Sequence, residues 1–340
     1  MEKVMLGLSG GVDSAVAAEL LRRDGYEVYG IYLDIGLSGG AEDAAAVAET
    51  IGVPLMIQDI RAALQENVCV PFVEAYFRGE TPNPCIMCNP SVKFRIILAA
   101  ADEIGARFVA TGHYARVRRD GEHAVLLRAN SSNDQSYMLC RILRSQLDRL
   151  LLPLGALEKA EVRKLAEKFQ LPVANKPDSM EICFIPDGDY GAYLEATGKA
   201  PGPGNFVDVS GNVLGQHRGI HRYTLGQRRG LGVAAGRRMF VSELRIPTNE
   251  VVLSDGTGLY VTDIAAKDVN WLVDPLTVPF QAEVKVRHSK TQTKAEVIPH
   301  PDGTAAIHFA EPVRAPTAGQ SAVFYRDDIV LGGGYIAADC

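Results

Sequence analysis

The segment Leu8-Ser9-Gly10-Gly11-Val12-Asp13-Ser14 constrains this chain more than any other, because it must turn sharply between a strand and a helix. Val4 to Leu8 is a short apolar run, and from Ser14 to Arg22 the apolar residues recur at helical spacing. The two glycines let the backbone bend and come close to a ligand. Ser9, Asp13, Ser14 and free backbone N–H groups gather at the positive end of the helix. This is the chemistry of a phosphate site. No Gly-Lys-Ser/Thr follows, so it is not the nucleotide loop that carries its own lysine. A turn whose glycines merely pack is the competing reading, but Ser-Gly-Gly-Val-Asp-Ser is far more specific than a Gly-x-Gly-x-x-Gly pattern.

A chain of 340 residues exceeds one ordinary core and predicts two or three domains. No apolar run reaches the length of a membrane span, and because the first residues run at once into a strand pattern no cleavable leader is expected. Six cysteines do not make a disulfide framework at this length, so a reducing, cytoplasmic setting is expected. The net charge of −6 speaks against nucleic acid only as an average. Val209 to Ser242 contains no Asp or Glu but holds Arg218, Arg222, Arg228, Arg229, Arg237 and Arg238, with His217 and His221 among them. Lys285, Arg287, His288, Lys290 and Lys294 form a second cluster. Either alone reads as a solvated face; together, on an acidic chain, they read as a path for phosphates.

Strand and helix alternate through the first half: strands at Val28–Leu33, Pro54–Ile57 and Arg107–Thr111, and a helix at Ala41–Ile51. That alternation predicts an α/β fold with a doubly wound parallel sheet, whose ligands lie at the carboxyl ends of the strands. Ser9–Ser14, Leu33 and Gly112-His113-Tyr114 all sit at such ends and should face one site. A charged helix is expected across Leu157–Gln170, and Pro201-Gly202-Pro203-Gly204 marks a boundary. Short strands at Val251–Leu253, Leu259–Val261, Ala282–Val286 and Ala295–Ile298 follow, and Trp271–Cys340 has the pattern of a small β-barrel.

The second chemical feature is Thr81-Pro82-Asn83-Pro84-Cys85-Ile86-Met87-Cys88-Asn89. Pro82, Pro84 and Pro90 should stiffen this stretch and hold it out of helix until its end. Cysteines three apart in such a loop are metal ligands or redox partners more often than packing residues. Cys183, in Ile182-Cys183-Phe184-Ile185, reads by itself as a buried cysteine in a strand. Cys69 and Cys140 lie in apolar helical stretches and read as core; Cys340 is a tail residue.

The glycine-rich turn looks like the pyrophosphate-binding loop of the N-type ATP pyrophosphatases, which release pyrophosphate and adenylate an acceptor oxygen. The Cys-x-x-Cys stretch, Thr111–Tyr114, Asp134–Tyr137, Ile182–Ile185, Tyr223–Arg228 and Gly319–Tyr325 follow in order. Together they resemble the tRNA-specific 2-thiouridylase family over nearly the full length. The resemblance implies an adenine nucleotide α-hydrolase-like catalytic domain (1–195, with 147–170 packing with the adaptor), a central tRNA-binding adaptor (196–272) and a C-terminal β-barrel (273–340). It implies that O2 of the wobble uridine is adenylated and AMP displaced by sulfur. ATP with Mg2+ falls to Gly7, Leu8, Ser9, Gly10, Gly11, Val12, Asp13, Ser14, Leu33 and Gly112, with Asp13 helping to hold the metal. Asn83, Pro84 and Cys85 match the stretch that meets the target base. Asn133, Asp134, Gln135, Arg287 and His288 match stretches that contact tRNA, joined here by Arg228 and Arg229 of the basic adaptor. Cys88 matches the nucleophile and Cys183 the carrier of persulfide sulfur.

The chain departs from the resemblance at Cys85, where many members have an aspartate. Two sulfur routes follow. The sulfur donor is a persulfide carrier protein or sulfide; in one route Cys183 takes a persulfide sulfur from the carrier protein, and Cys88 releases the product by forming a disulfide with it. In the other, Cys85, Cys88 and Cys183 hold a [4Fe–4S] cluster with one open iron; the ligand pattern favours this route. Another adenylating enzyme or tRNA thiolase of the same superfamily, and a non-catalytic RNA-binding redox sensor, are the alternatives.

Overall fold

The computed structural model describes residues 1–121, 123–178, 181–233, 236–289 and 291–338. The chain opens with β1 (Lys3–Gly7), α1 (Val12–Arg23), β2 (Glu27–Asp34), α2 (Gly40–Ile51) and β3 (Leu55–Asp59). A helical stretch follows: α3 (Arg61–Leu64) runs through a π-turn at Gln65–Cys69 into α4 (Val70–Phe77). α5 (Pro84–Cys88) likewise passes through a π-turn at Asn89–Lys93 into α6 (Phe94–Glu103), which leads to β4 (Phe108–Ala110). The hairpin β5 (Arg116–Asp120) and β6 (His123–Leu127), then α7 (Arg144–Leu147), β7 (Leu150–Leu151), α8 (Lys159–Lys168) and α9 (Tyr190–Glu195) complete this part.

The sheet is parallel, in the order β3-β2-β1-β4-β7. Both faces are covered at its centre, which is why β1 and β4 read as apolar runs rather than alternating, while edge strand β3 ends in exposed Gln58 and Asp59. Val4, Leu6 and Leu8 pack with α1, α2 and α8, while Met5 faces the other way onto Phe94 and Ile97 of α6. α8 lies against α1 through Val162 and Ala166, within this unit. From β1 the order runs outward to β2 and β3 on one side and to β4 and β7 on the other. The connections after β1 and β4 therefore diverge and leave a crevice at the carboxyl ends of those strands. The glycine-rich turn and Gly112–Tyr114 occupy its two walls.

A four-stranded sheet of β8 (Gly204–Asp208), β9 (Val213–His217), β10 (Phe240–Arg245) and β11 (Glu250–Ser254) follows, in the order β10-β11-β8-β9. The last part holds β12 (Tyr260–Trp271), β13 (Phe280–Lys285), β14 (Thr293–Pro299), β15 (Ala305–Arg314), β16 (Ser321–Arg326) and β17 (Ile329–Ile336). These six strands close through β12–β17 pairing around Ile264, Val284, Val297, Ile307 and Phe324. The barrel's first strand thus starts ahead of residue 273. β6 extends this sheet by pairing Leu127 with Ile329, and Tyr137 of the first part donates its hydroxyl to the Ser321 carbonyl at 2.9 Å. No helix among the described residues is long and apolar enough to cross a membrane.

Two local expectations are corrected. The prolines do not hold residues 81–89 out of helix: α5 begins at Pro84, with Asn83 as its cap accepting from the N–H groups of Cys85 and Ile86. Proline at the first helical position has its ring at a helical angle and lacks an N–H that would be orphaned anyway. Pro90 sits in the π-turn, where the wider winding accommodates it. Cys183 is not a buried strand residue but an exposed one in a turn. Cys69 and Cys140 are buried as expected, and Cys340 lies outside the described residues.

Candidate active site

Gly10 adopts a left-handed conformation (φ 70°), and a Cβ there would lie 2.8 Å from the Gly40 carbonyl at the head of α2. Gly11 caps α1 without a side chain, so the first N–H groups of the helix stay available to an anion. Ser14 Oγ donates to the Gly11 carbonyl, accepts from Ser9 N and lies 3.1 Å from Ser9 Oγ. Across the crevice Gly112 presses on this turn: a Cβ on it would stand 2.9 Å from backbone atoms of Asp13 and Ser14. Leu33, at the end of β2, is half-buried against the helices beside the crevice.

Asp13 is heavily engaged. Tyr114 donates its hydroxyl to it at 2.7 Å, and Lys159 reaches both carboxylate oxygens at 2.8 Å. Lys159 also pairs with Asp178, and Lys176 donates to the Gly10 carbonyl at 2.9 Å while pairing with Asp43. Sequence reasoning missed these lysines, because they lie 146 and 166 residues from their partners and no local pattern marks them. His113 accepts or donates at 2.7 Å with Thr111 Oγ1 and leans on the Phe94 ring; burial, with Lys93 nearby, holds it neutral, well below its usual range.

The cysteines gather at the far side of α6's start. Cys85 is exposed, Cys88 half-buried, and Cys88 packs with Phe184 against a cluster containing Cys69 and Val92. Phe184 meets Phe72 edge-on at 5.5 Å, which seats the Cys183 turn on α4. Although its side chain is exposed at the rim, the surroundings desolvate Cys183 enough to push its thiol up to about 11, with Cys88 and Cys85 adding repulsion. Burial also raises Cys88; Lys93 opposes it. The three thiols are near enough to act on one another's charge. Among the described residues, however, no group of three His, Cys, Asp or Glu side chains is arranged to hold a metal ion.

Several residues expected at tRNA are used inside the protein. Asp134 accepts from the N–H groups of Ala129 and Ser136 and from Ser136 Oγ, and pairs with buried Lys285 of the barrel. Gln135 caps the Tyr114 N–H, and Arg287 donates to the Ala315 carbonyl. His288 Nε2 lies 3.4 Å from the Asp134 carbonyl. Only Asn133 of this group is exposed without a side-chain role in the contacts above.

The adaptor's basic stretch is likewise thinner than its composition suggests. His217 and His221 are buried, and burial lowers both, so they are neutral. Arg222 is neutralised by Glu195 of α9 and by Asp189, which caps that helix. A segment free of acids in sequence is not free of them in space. Arg218, Arg228, Arg229, Arg237 and Arg238 remain exposed, and Lys290 lies outside the described residues. Replacing Arg228 and Arg229 together by Ala is expected to weaken tRNA binding about tenfold at moderate salt and to lower its salt slope by about 2. Filter binding across a salt series measures both, and an unchanged slope would remove these arginines from the tRNA path.

Family models match the chain in three consecutive parts. They are a tRNA methyl transferase HUP domain (2–187), a tRNA methyl transferase PRC-barrel domain (192–255) and an aminomethyltransferase β-barrel domain (261–336). The chain is similar to the tRNA-specific 2-thiouridylase MnmA of Clostridium perfringens, at 43% identity over 352 residues and 98% of both chains. It is equally similar to 2-thiouridylase MnmA 1 of Clostridium botulinum, at 43% over 355 residues, 98% of this chain and 99% of that one. Among solved structures, a 4-thiouridine synthetase–RNA complex with bound ATP is 19% identical with a TM-score of 0.37, covering 57% of this chain and 50% of that one.

Proposed function

The chain belongs to the tRNA-specific 2-thiouridylase family and is an ATP-dependent tRNA sulfurtransferase; we propose that its target is O2 of the wobble uridine, position 34. The observation that carries the reading is the placement of the phosphate turn and the thiols about the start of one helix, α6. Gly112 presses on the turn, its neighbour His113 leans on Phe94 at the start of α6, and Cys88 stands five residues before Lys93, the residue that precedes α6.

ATP lies with its phosphates on the N–H groups of α1 and its adenine toward Leu33. Uracil O2 attacks the α-phosphorus, pyrophosphate leaves, and O2 now carries AMP, a group that can be expelled. The base has to be extruded from the anticodon stack to reach the site, beside Asn83, Pro84 and Cys85. Mg2+ would spread charge on the departing pyrophosphate. Asp13 fits as its carboxylate, provided Lys159 and Tyr114 release the oxygens they now hold.

Sulfur follows the persulfide relay. The terminal sulfur of a Cys183 persulfide, supplied by a sulfane-sulfur donor, attacks C2 and AMP departs with the original O2. Cys88 thiolate then attacks Sγ of Cys183. The sulfur–sulfur bond to the base breaks, 2-thiouridine leaves and a Cys88–Cys183 disulfide forms, to be reduced by an external thiol. The raised Cys183 thiol makes a bare thiolate scarce at neutral pH, which suits a residue that works as the more acidic persulfide.

Among the described residues no three His, Cys, Asp or Glu side chains are grouped to hold a metal ion, and no step is routed through an iron–sulfur cluster. Cys85→Ser tests the choice. Under the relay it keeps 2-thiouridine formation within about threefold of wild type. Complete loss, together with iron and acid-labile sulfide in anaerobically purified wild type, would overturn the relay. The wider reading is tested with unmodified tRNA, ATP and a persulfide donor. One AMP and one pyrophosphate are expected per 2-thiouridine, and sulfur at any other nucleotide would refute position 34.

A further inference from the structure

The phosphate turn has no lysine of its own, yet two lysines stand over it from distant segments. Lys159, the first residue of α8, lies 2.8 Å from both oxygens of Asp13 and 2.8 Å from Asp178 Oδ1. Asp178 is also held by Arg163 at 2.8 Å. Lys176 reaches the Gly10 carbonyl at 2.9 Å and pairs with Asp43 in the first turn of α2. Three carboxylates and three cations thus surround the turn in two ion-paired groups, Asp13–Lys159–Asp178–Arg163 and Lys176–Asp43. The triphosphate of ATP carries about four negative charges into a crevice flanked by Asp13 and Asp43, and partial burial strengthens that repulsion. The helix dipole alone contributes only about half a charge of compensation.

We propose that Lys159 and Lys176 are ligands of the β- and γ-phosphates, and that their transfer from carboxylate to phosphate loosens the segment 174–178 leading to Cys183, leaving it on the bonds of Arg163 to Ala174, Lys176 and Asp178. This rests on the turn being the ATP site. Both ammonium groups already lie within hydrogen-bond reach of atoms of the turn, so phosphates seated on the α1 N–H groups compete directly with Asp13 and Asp43 for them. When Lys159 turns to phosphate, Asp178 loses one of its two cations and Asp13 is freed. When Lys176 does so, the segment loses its anchor on Gly10. Cys183 follows Asp178 by five residues. Nucleotide occupancy is thereby linked to presentation of the sulfur carrier, and linkage of this kind acts in both directions. It would keep the persulfide from meeting the base before a leaving group has been installed.

The test uses the full chain with Mg2+ and measures equilibrium binding of ATP and of AMP to wild type, Lys159→Gln, Lys176→Gln and Lys159→Arg. It adds iodoacetamide labelling of Cys183, read by peptide mass spectrometry, with and without α,β-methylene-ATP. Each Gln variant should weaken ATP by ~10- to 100-fold, the worth of a charge-assisted bond, with AMP affinity unchanged. Lys159→Arg should retain most of the ATP affinity. The ATP analogue should speed Cys183 labelling in wild type, and Asp178→Asn should label fast without it. Equal losses for ATP and AMP would show a merely structural role and overturn the phosphate assignment, as would unchanged ATP binding. Labelling in wild type that ignores the analogue would overturn the coupling. Failure of wild type itself to bind ATP would instead refute the site on which the proposal rests.

Discussion

Cys183→Ala is expected to lower 2-thiouridine formation by at least about 10³-fold while tRNA-dependent pyrophosphate release continues. Adenylation takes place at the phosphate turn and needs no thiol, whereas expulsion of AMP needs the sulfur nucleophile. Cys88→Ala should fail at a different point. Its Cys183 persulfide can still attack C2, but nothing then cleaves the sulfur–sulfur bond, so a covalent enzyme–tRNA adduct accumulates. That adduct should appear on denaturing gels and vanish with dithiothreitol. Neither thiol accepts or donates a hydrogen bond to the phosphate turn, so nucleotide binding should be untouched in both variants. Loss of pyrophosphate release in both would instead place the thiols in the adenylation step, and the relay would fall.

Gly112→Ala should be nearly as severe by a wholly steric route. The added methyl would stand 2.9 Å from the Asp13 carbonyl carbon and 2.9 Å from the Ser14 nitrogen, both backbone atoms that cannot swing aside. To make room, the start of α1 must shift away from β4, which displaces the N–H groups that receive phosphate. Overpacking of this kind costs about 1–3 kcal/mol in stability. The effect on ATP should be larger than that suggests, because several hydrogen bonds to one ligand are misplaced together. A fall of at least about a hundredfold in kcat/KM for ATP is expected, with the thermal midpoint lowered by only a few degrees. Wild-type ATP kinetics in this variant would mean that the nucleotide does not use the face of the turn next to Gly112.

Much of this was legible in the chain. The apolar runs at Val4–Leu8 and Val28–Leu33 appear as β1 and β2, and the carboxyl-end rule brought Ser9–Ser14 and Gly112 to one crevice. Periodicity and turn chemistry are local properties, and local properties survive folding when both faces of a sheet are buried. The expectations that failed depended on neighbours. Pro84 was read as a helix breaker, but its effect depends on where the helix starts, and Asn83 decides that by capping the N–H groups of Cys85 and Ile86. Arg222 looked free because no acid stands near it in sequence, yet Glu195, 27 residues away, neutralises it.

By itself, then, the order of residues determined the parallel sheet, the glycine turn at the carboxyl end of its central strand, the paired cysteines and the family they belong to. Each of these is written in short-range spacing. Only the tertiary structure decided which charges meet the turn, which basic residues stay free for tRNA and that the Cys183 turn rests on Phe72. Lys159 and Lys176 find Asp13 and Gly10 only when α8 packs on α1. Electrostatic partners are chosen by distance in space, and distance in space is set by packing among segments that no local pattern connects.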